Sequence, residues 1–451
     1  MNLEEPARTL GPGAVGVSLA VCALALGLGV ALVATDAPGV PILALAACAA
    51  AIAPLVLWPE LTLALYVVVG DVKGDERIVS LGGLDLTLAL GAILLAGVAL
   101  HLVRRKRIVP LPSAFFLYLA LVAIMAASLA YTPVLDAGLE KLGRFLTMTG
   151  IVIVAPFFVL GTPRAMKRFL VGYGVSALAI CGYSLTRLGG AERLTTPSNF
   201  TIGLGHIACA SILLIWFGPM ARLPFRKRIV LYPLLALPLV ALLGSGSRGP
   251  LIALALVIAA SLVWRRKQLA DAAFLAAAAI LAFPFIGIPP GSVGYLSTLV
   301  DLRGAGSLLN FRAELMSQAW KLIEQHPLLG AGLQGYRYAS PNAALYNWPH
   351  NIFLELACEL GIPAAIIACA IFGSAAYESL RQLKDRLSPH LALSEIAAAL
   401  CFAGVVNAVN TGDINSDRAT WLFLSLVFVA GALRKQSVEK RELAPRGHAS
   451  Y

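Results

Sequence analysis

The sequence predicts an all-α polytopic membrane protein, and three observations carry that prediction. The 451 residues are 59% hydrophobic and only 13% charged, against about 25% charged residues in a soluble domain. Mean hydropathy is +0.82. The apolar residues are gathered into as many as fourteen long stretches, and at about 20 residues per crossing these fill the chain. Such a composition excludes a water-soluble enzyme, a disordered chain and a solenoid with a polar shell. The expectation is one integral membrane domain over residues 1–451, with twelve to fourteen transmembrane helices.

In chain order the stretches lie near 15–35, 40–57, 60–71, 84–103, 112–131, 144–161, 167–187, 202–219, 228–244, 250–264, 269–288, 358–378, 391–411 and 417–433. The opening MNLEEPARTLGPG is acidic and lacks a cleavage pattern, so the first stretch reads as a retained span. The third stretch is short, and it or a neighbour reads as re-entrant or as part of a broken helix. Basic clusters follow on alternate loops: Arg104 to Arg107, Arg164/Lys167/Arg168, Arg222/Arg226/Lys227/Arg228, Arg265-Arg266-Lys267 and Arg381/Lys384/Arg386. The last is the tail over 434–451. With Arg8, this one side holds 23 of the 35 Lys and Arg residues. The positive-inside rule makes that side cytoplasmic, together with both termini. The net charge of +11 is thus spread over short loops, which argues against a nucleic-acid partner. The seven cysteines all fall within apolar stretches, without a CxxC, and read as small buried hydrophobes.

Residues 289–350 break the rhythm. GIPPGS stops a helix. Asn310–Gln325 then has amphipathic spacing, with Phe311, Leu315, Ala319, Leu322 and Ile323 near one face. HPLLGAGLQGY and PNAALYNWPHN follow, and Trp320, Tyr336, Tyr338, Tyr346 and Trp348 suit an interface between water and lipid. The segment reads as a structured lid on the outer leaflet.

Ionisable groups at membrane depth on the outer side are functional candidates, because lipid makes them costly. Arg248 stands in LLGSGSRGPL at an outer helix end, where small residues admit an anion and the guanidinium fork matches two phosphate oxygens. The alternative is an interfacial arginine snorkelling to water. Arg312 opens the lid helix, where a solvated face is the competing reading. His350, after Pro349, is placed where the lid re-enters the membrane. Its imidazole titrates near neutrality and suits a base that takes a hydroxyl proton. Asn351, Glu355 and Glu359 follow at helical spacing. Arg187 and Arg193 flank a polar outer loop, and Asp413, Asp417 and Arg418 form another charged group. For these, ordinary loop charge competes with function. His206, inside a span, reads first as a packing or helix–helix hydrogen-bonding residue. The sequence contains no GxxxxGK[ST], HExxH or DxD motif, so no nucleotide-driven pump, zinc site or nucleotide-sugar metal site is indicated. No cofactor is expected.

Arg312, Trp320, the run His326-Pro327-Leu328-Leu329-Gly330-Ala331-Gly332, Pro349-His350-Asn351 and Glu359-Leu360-Gly361 together resemble the signature of the O-antigen ligase and polymerase superfamily. Ser247-Arg248-Gly249 matches too, as does the order of many spans followed by one large loop. The resemblance covers roughly residues 200–410. It implies a bacterial inner-membrane glycosyltransferase with a GT-C-like helical fold. Such enzymes transfer a glycan from undecaprenyl diphosphate at the periplasmic face without a nucleotide or metal, with inversion at the anomeric carbon. The family pattern makes Arg248 and Arg312 a diphosphate clamp, with Arg193 as a further candidate, and His350 the base. Asn351, Glu355, Tyr336 and Tyr338 would support them. The donor's lipid tail would lie in a lateral groove between spans. Ligases use lipid A–core oligosaccharide as acceptor, and that reading is preferred. A polymerase extending O-antigen or exopolysaccharide is the alternative. A transporter or flippase is the distant one, because no internal repeat is evident and the polar candidates gather toward one face.

Overall fold

In lipid every backbone N–H and C=O must be satisfied inside its own segment, so long Leu-, Ala- and Val-rich runs fold as helices. The computed structural model describes residues 52–74, 85–104, 106–190, 192–263, 265, 268–282, 287–297, 306–339, 348–385 and 390–442. The predicted stretch 15–35 and most of 40–57 lie outside them.

The described helices are α1 (Pro59–Val68), α2 (Leu86–Val103), α3 (Ala114–Ser128), α4 (Leu135–Val159), α5 (Pro163–Leu185), α6 (Thr201–Met220), α7 (Arg226–Ser245) and α8 (Arg248–Leu262). They continue as α9 (Leu269–Ala282), α10 (Pro290–Ser297), α11 (Gly306–Gln325), α12 (Gly335–Ala339), α13 (Ile352–Leu360), α14 (Ile362–Lys384), α15 (Leu391–Asn410) and α16 (Arg418–Glu442). Among the described residues eight helices are long and apolar enough to cross a membrane, namely α2, α4, α5, α6, α7, α14, α15 and α16, while α3 and α8 are shorter apolar helices. The chain is therefore an all-α, polytopic membrane protein.

The short third stretch is a broken helix. Residues 52–57 are helical, Trp58 leaves the helical region, and Pro59 restarts the chain as α1. The Thr62 hydroxyl donates to the Leu55 carbonyl across the break at 2.6 Å. A ten-residue helix is only about 15 Å long, half a bilayer core. Its side chains are nearly all buried, which suits a helix held inside the bundle.

Helices α6 and α15 form the centre, with 78% and 72% of their spans buried against 22% for α2. Helix α6 packs on α5, α7, α8 and α15, and α15 also packs on α8, α14 and α16. Both α4 and α6 contain a π-helical turn, at Phe145–Thr149 and Trp216–Met220. Pro219 lies within the second, where a missing N–H is tolerated because the ladder is already offset. Several cations of the basic clusters also pair between elements: Arg168 with Glu60 at 2.6 Å, Arg434 with Asp385 at 3.0 Å, Arg228 with Asp271, and Arg265 with Glu395.

The amphipathic reading of 310–325 corresponds to α11. Leu315, Ala319, Leu322 and Ile323 bury against Tyr336, Ala357 and Cys358 in a small second core beside the main one, while Trp320 is exposed. The side chain of Phe311 and residue Tyr346 lie outside the described residues. The two glycine-containing signature runs interlock backbone to backbone. Ala331 N–H donates to Cys358 O at 2.8 Å, and Ile362 N–H donates to Pro327 O at 2.9 Å. Gly330 (φ +68°) and Gly361 (φ +86°) permit this approach, because a Cβ at either would lie within 2.4 Å of facing backbone.

Candidate functional site

The C-terminal end of α15 is where the main candidates meet. Its last turn closes with Thr411 N–H on Asn407 O at 2.8 Å. Gly412 then lets the chain fold back over Ala408, where a Cβ would be 2.6 Å from the Ala408 Cα. Arg312, from α11, donates through Nη1 to the Asn410 carbonyl at 3.2 Å. His350 hydrogen-bonds the Thr411 backbone. His206, from α6, stands 3.4 Å from the Thr411 hydroxyl through Nε2, the helix–helix contact expected for it. The start of α8 completes the group, since a methyl at Gly249 would touch Asn410 and Thr411 at 3.6 and 3.7 Å.

Arg248 is the first residue of α8. The turn before it is sharp: α7 ends in left-handed Gly246 (φ +62°), and Ser247 precedes α8 in an extended conformation. Ser247 Oγ donates to Thr201 O at 3.0 Å, tying the turn to α6. Arg193 grips the same turn, donating through Nε to Ser245 O at 2.7 Å and through Nη2 to Ser247 Oγ at 3.4 Å. Its guanidinium lies over the Tyr295 ring at 4.2 Å. Burial holds Arg193 below the usual arginine range, and the neighbouring Arg248 charge adds to that.

His350 has φ +57°, a left-handed conformation that side chains other than Asn, Asp and His seldom adopt. Pro349 is buried before it, and Asn351 after it caps α13, accepting from the N–H groups of Phe353 and Leu354 at 2.9 and 3.1 Å. The Trp348 ring meets the imidazole edge-on at 5.6 Å. Burial lowers the His350 pKa from its usual value of 6.5, and the nearby Arg312 charge lowers it further. The ring is therefore neutral at pH 7.

His350 and Trp348 line a cavity of about 430 Å³ between the end of α1, α6, the end of α15 and the start of α16. Asp71, Lys73, His206, Asn407, Asp417 and Arg418 contribute its polar walls. Among the described residues, four buried polar atoms of its lining residues have no hydrogen-bond partner: Asn407 Oδ1, Asp417 Oδ2, Arg418 Nη1 and Trp348 Nε1. Gly70 makes room for Arg418, whose Nη2 would lie 2.8 Å from a Cβ there. Asn199 and Thr201 are shared with an open crevice that holds Arg187 and Arg193.

Other candidates are used differently. Glu355 and Glu359 both bind Lys141 of α4, each at 2.6 Å and nearly out of reach of solvent. Glu355 also accepts from Ile414 N–H at 3.0 Å, and Glu359 from Gln334 N–H at 3.0 Å. Asn415 donates to the Lys141 carbonyl at 3.1 Å. This brace fastens α4, α13, the loop after α15 and the 326–334 run to one another. Tyr336 is buried in the small core with its hydroxyl on Leu315 O at 3.2 Å, and Tyr338 is exposed. Neither lines the His350 cavity.

Sequence reasoning missed Lys141, Asp71 and Lys73, and read Trp348 only as an interfacial aromatic. The signal for Lys141 was available: LDAGLEKLGR is strongly amphipathic and extends α4 nine residues ahead of the predicted span. Among the described residues no group of three His, Cys, Asp or Glu side chains stands together to hold a metal ion.

Residues 233–369 match the family model described as O-antigen ligase. That segment runs from within α7 into the first third of α14 and contains Arg248, Arg312 and His350. No curated protein matches the chain.

Proposed function

We propose that this chain is an inner-membrane glycosyltransferase of the O-antigen ligase type, a reading supported by the match of residues 233–369 to that family model. It takes a polysaccharide from undecaprenyl diphosphate and joins it to lipid A–core oligosaccharide at the periplasmic face. The observation that carries this reading is the convergence of Arg312, His350 and the Arg248 turn on the Asn407–Thr411 end of α15, beside one cavity.

Neutral His350 holds one ring nitrogen on the Thr411 backbone, which leaves the other as proton acceptor. The acceptor hydroxyl loses its proton to that nitrogen as its oxygen attacks the anomeric carbon. The bond from that carbon to the phosphate oxygen breaks, and the lipid diphosphate leaves with the electron pair. Arg248 and Arg312 stabilise the charge that develops on it, and Arg193 steadies the turn carrying Arg248. Fixed cations in a site screened from water are effective here because no solvent must reorganise as charge moves. Single displacement inverts the anomeric centre. The 289–350 excursion acts as a lid over the sugar end.

The test is a lipopolysaccharide profile from a deletion strain complemented with wild-type or variant chain. Loss of the gene should leave bare core and accumulate lipid-linked polymer, and His350→Ala should not restore ligation. Core capped by a single repeat would instead assign the chain as a polymerase of the same superfamily. Unchanged glycan profiles would overturn the transferase reading.

A further inference from the structure

Trp348 does more than sit beside His350. The residue lines both the His350 cavity and a second, smaller chamber of about 190 Å³. The walls of the second chamber are polar throughout apart from the Trp348 indole: Glu140, Lys141, Arg144, Gln334, Arg337, Glu355, Asp413 and Asn415. Three cations face three carboxylates, so the lining charges cancel. A chamber for a phosphate or another anion would carry an excess of cations. This one offers paired charges and amides around an aromatic wall, which suits the hydroxyls and C–H face of a neutral sugar ring. Asn415 Oδ1, an acceptor on a residue that lines this chamber and not the larger one, is buried without a hydrogen-bond partner among the described residues, and so is Nε1, the donor of Trp348, which borders both. Buried polar atoms are ordinarily satisfied, and those left open in a lined chamber call for a partner that arrives.

The two chambers differ in kind. The larger is mostly apolar, lies against α1, α6 and α16, and reaches the Asn407–Thr411 end of α15 on which Arg312 also sits. The smaller is bounded by the Lys141 brace and the 334–337 run. We propose that the smaller chamber is the acceptor subsite. It holds an uncharged sugar residue of the acceptor saccharide, with Trp348 as the wall that presents its hydroxyl to His350. This rests on the transferase reading above. It assigns the larger cavity to the donor and makes Trp348 and Asn415 acceptor-specific residues.

The test uses the purified full-length protein with undecaprenyl-diphosphate glycan as donor and lipid A–core oligosaccharide as acceptor. Trp348→Ala and Asn415→Ala should each raise KM for the acceptor about tenfold, with donor KM held within about twofold. Trp348→Phe, which keeps the ring face, should recover most of the lost acceptor affinity. Stripping phosphates from the acceptor should leave the ratio between wild type and variants unchanged. A rise in donor KM with acceptor KM unaltered would give the chamber to the donor and overturn the proposal, as would wild-type values for both variants. The Asn415→Ala result stands if Trp348→Ala fails to fold. Failure of the transferase reading looks different, because the wild-type protein would then transfer nothing.

Discussion

The His350 cavity and the Lys141 brace both border Trp348, and they differ in how fully charge is paired, although Glu359 Oε1 and Asn415 Oδ1 of the brace also have no hydrogen-bond partner among the described residues. In the brace, one ammonium meets two carboxylates, which take further hydrogen bonds from Ile414 and Gln334. In the cavity, Asn407, Asp417 and Arg418 each keep an open polar atom among the described residues, and His350 is held in a strained backbone conformation. Ion pairing fixes structure, whereas open polar atoms combined with backbone strain mark the place where a ligand interacts. The brace also serves the cavity, because Glu355 holds Ile414, three residues beyond the Thr411 backbone that binds His350.

The largest expected effect separates the two regions by chemistry. His350→Asn keeps a side chain that tolerates φ +57° but removes the base. Transfer should fall roughly 100- to 10,000-fold, with the thermal unfolding midpoint unchanged. A variant that loses fold along with activity would place His350 with the structural group. Lys141→Met should show the reverse pattern. It strands two buried carboxylates and should destabilise the protein by about 3–5 kcal/mol. The triple change Lys141→Met/Glu355→Gln/Glu359→Gln keeps acceptors for Ile414 and Gln334 and should recover most of that loss. Chemical denaturation in detergent would measure both. Equal stability of Lys141→Met and wild type would show that the brace contributes nothing.

These two sites were unequally legible in the sequence. The helices were readable because lipid leaves a long apolar run no other choice, and most later stretches lie close to their helices. Arg248, Arg312 and His350 were readable because each stands beside a local break, a glycine-rich turn, a helix start or a proline. The brace was not. Lys141 meets partners 214 and 218 residues away, and its helix starts in a polar stretch that hydropathy assigns to a loop. Glu355, read from spacing as a support for His350, and Glu359, named as a further candidate, take their partner from α4 instead. Asp71 was hidden in the same way, at the end of a short stretch that only the broken geometry of α1 brings beside α6.

The interlocked glycines test how far the brace region depends on backbone contact alone. Gly361→Ala would put a Cβ about 2 Å from the Leu328 carbonyl at a positive φ, and a loss of about 1–3 kcal/mol is expected. The nearby Gly373→Ala meets open space and should be neutral or slightly stabilising, since Ala favours a helix. Equal midpoints for the two variants would show that the 328–361 contact is loose. Arg312→Lys probes the other side. It keeps a charge near Asn410 but loses the planar fork, so transfer should fall about tenfold if two phosphate oxygens are gripped together. Full activity would leave Arg312 as a point charge.

The smallest effect is a shift in pH dependence, and it asks which group in the cavity titrates during turnover. His350 has its pKa lowered below 6.5 by burial and then by Arg312, so the neutral base persists as pH falls through 6.5 and is lost only below it. The acid limb of kcat should therefore have its midpoint below 6.5. Between 6.5 and the lowered value the unfolded chain binds a proton that the folded one does not, so stability also declines as pH falls through that window. Initial rates must accordingly be read beside unfolding midpoints at each pH. Arg312→Gln removes the repelling charge, so the plateau should drop while the midpoint moves up toward 6.5. Asp417 offers the competing source. Burial pushes its carboxyl up to about 7, and Asp413 adds to this. A limb near 7 that disappears in Asp417→Asn and ignores Arg312→Gln would transfer the titrating role from the histidine to the carboxylate on the opposite wall.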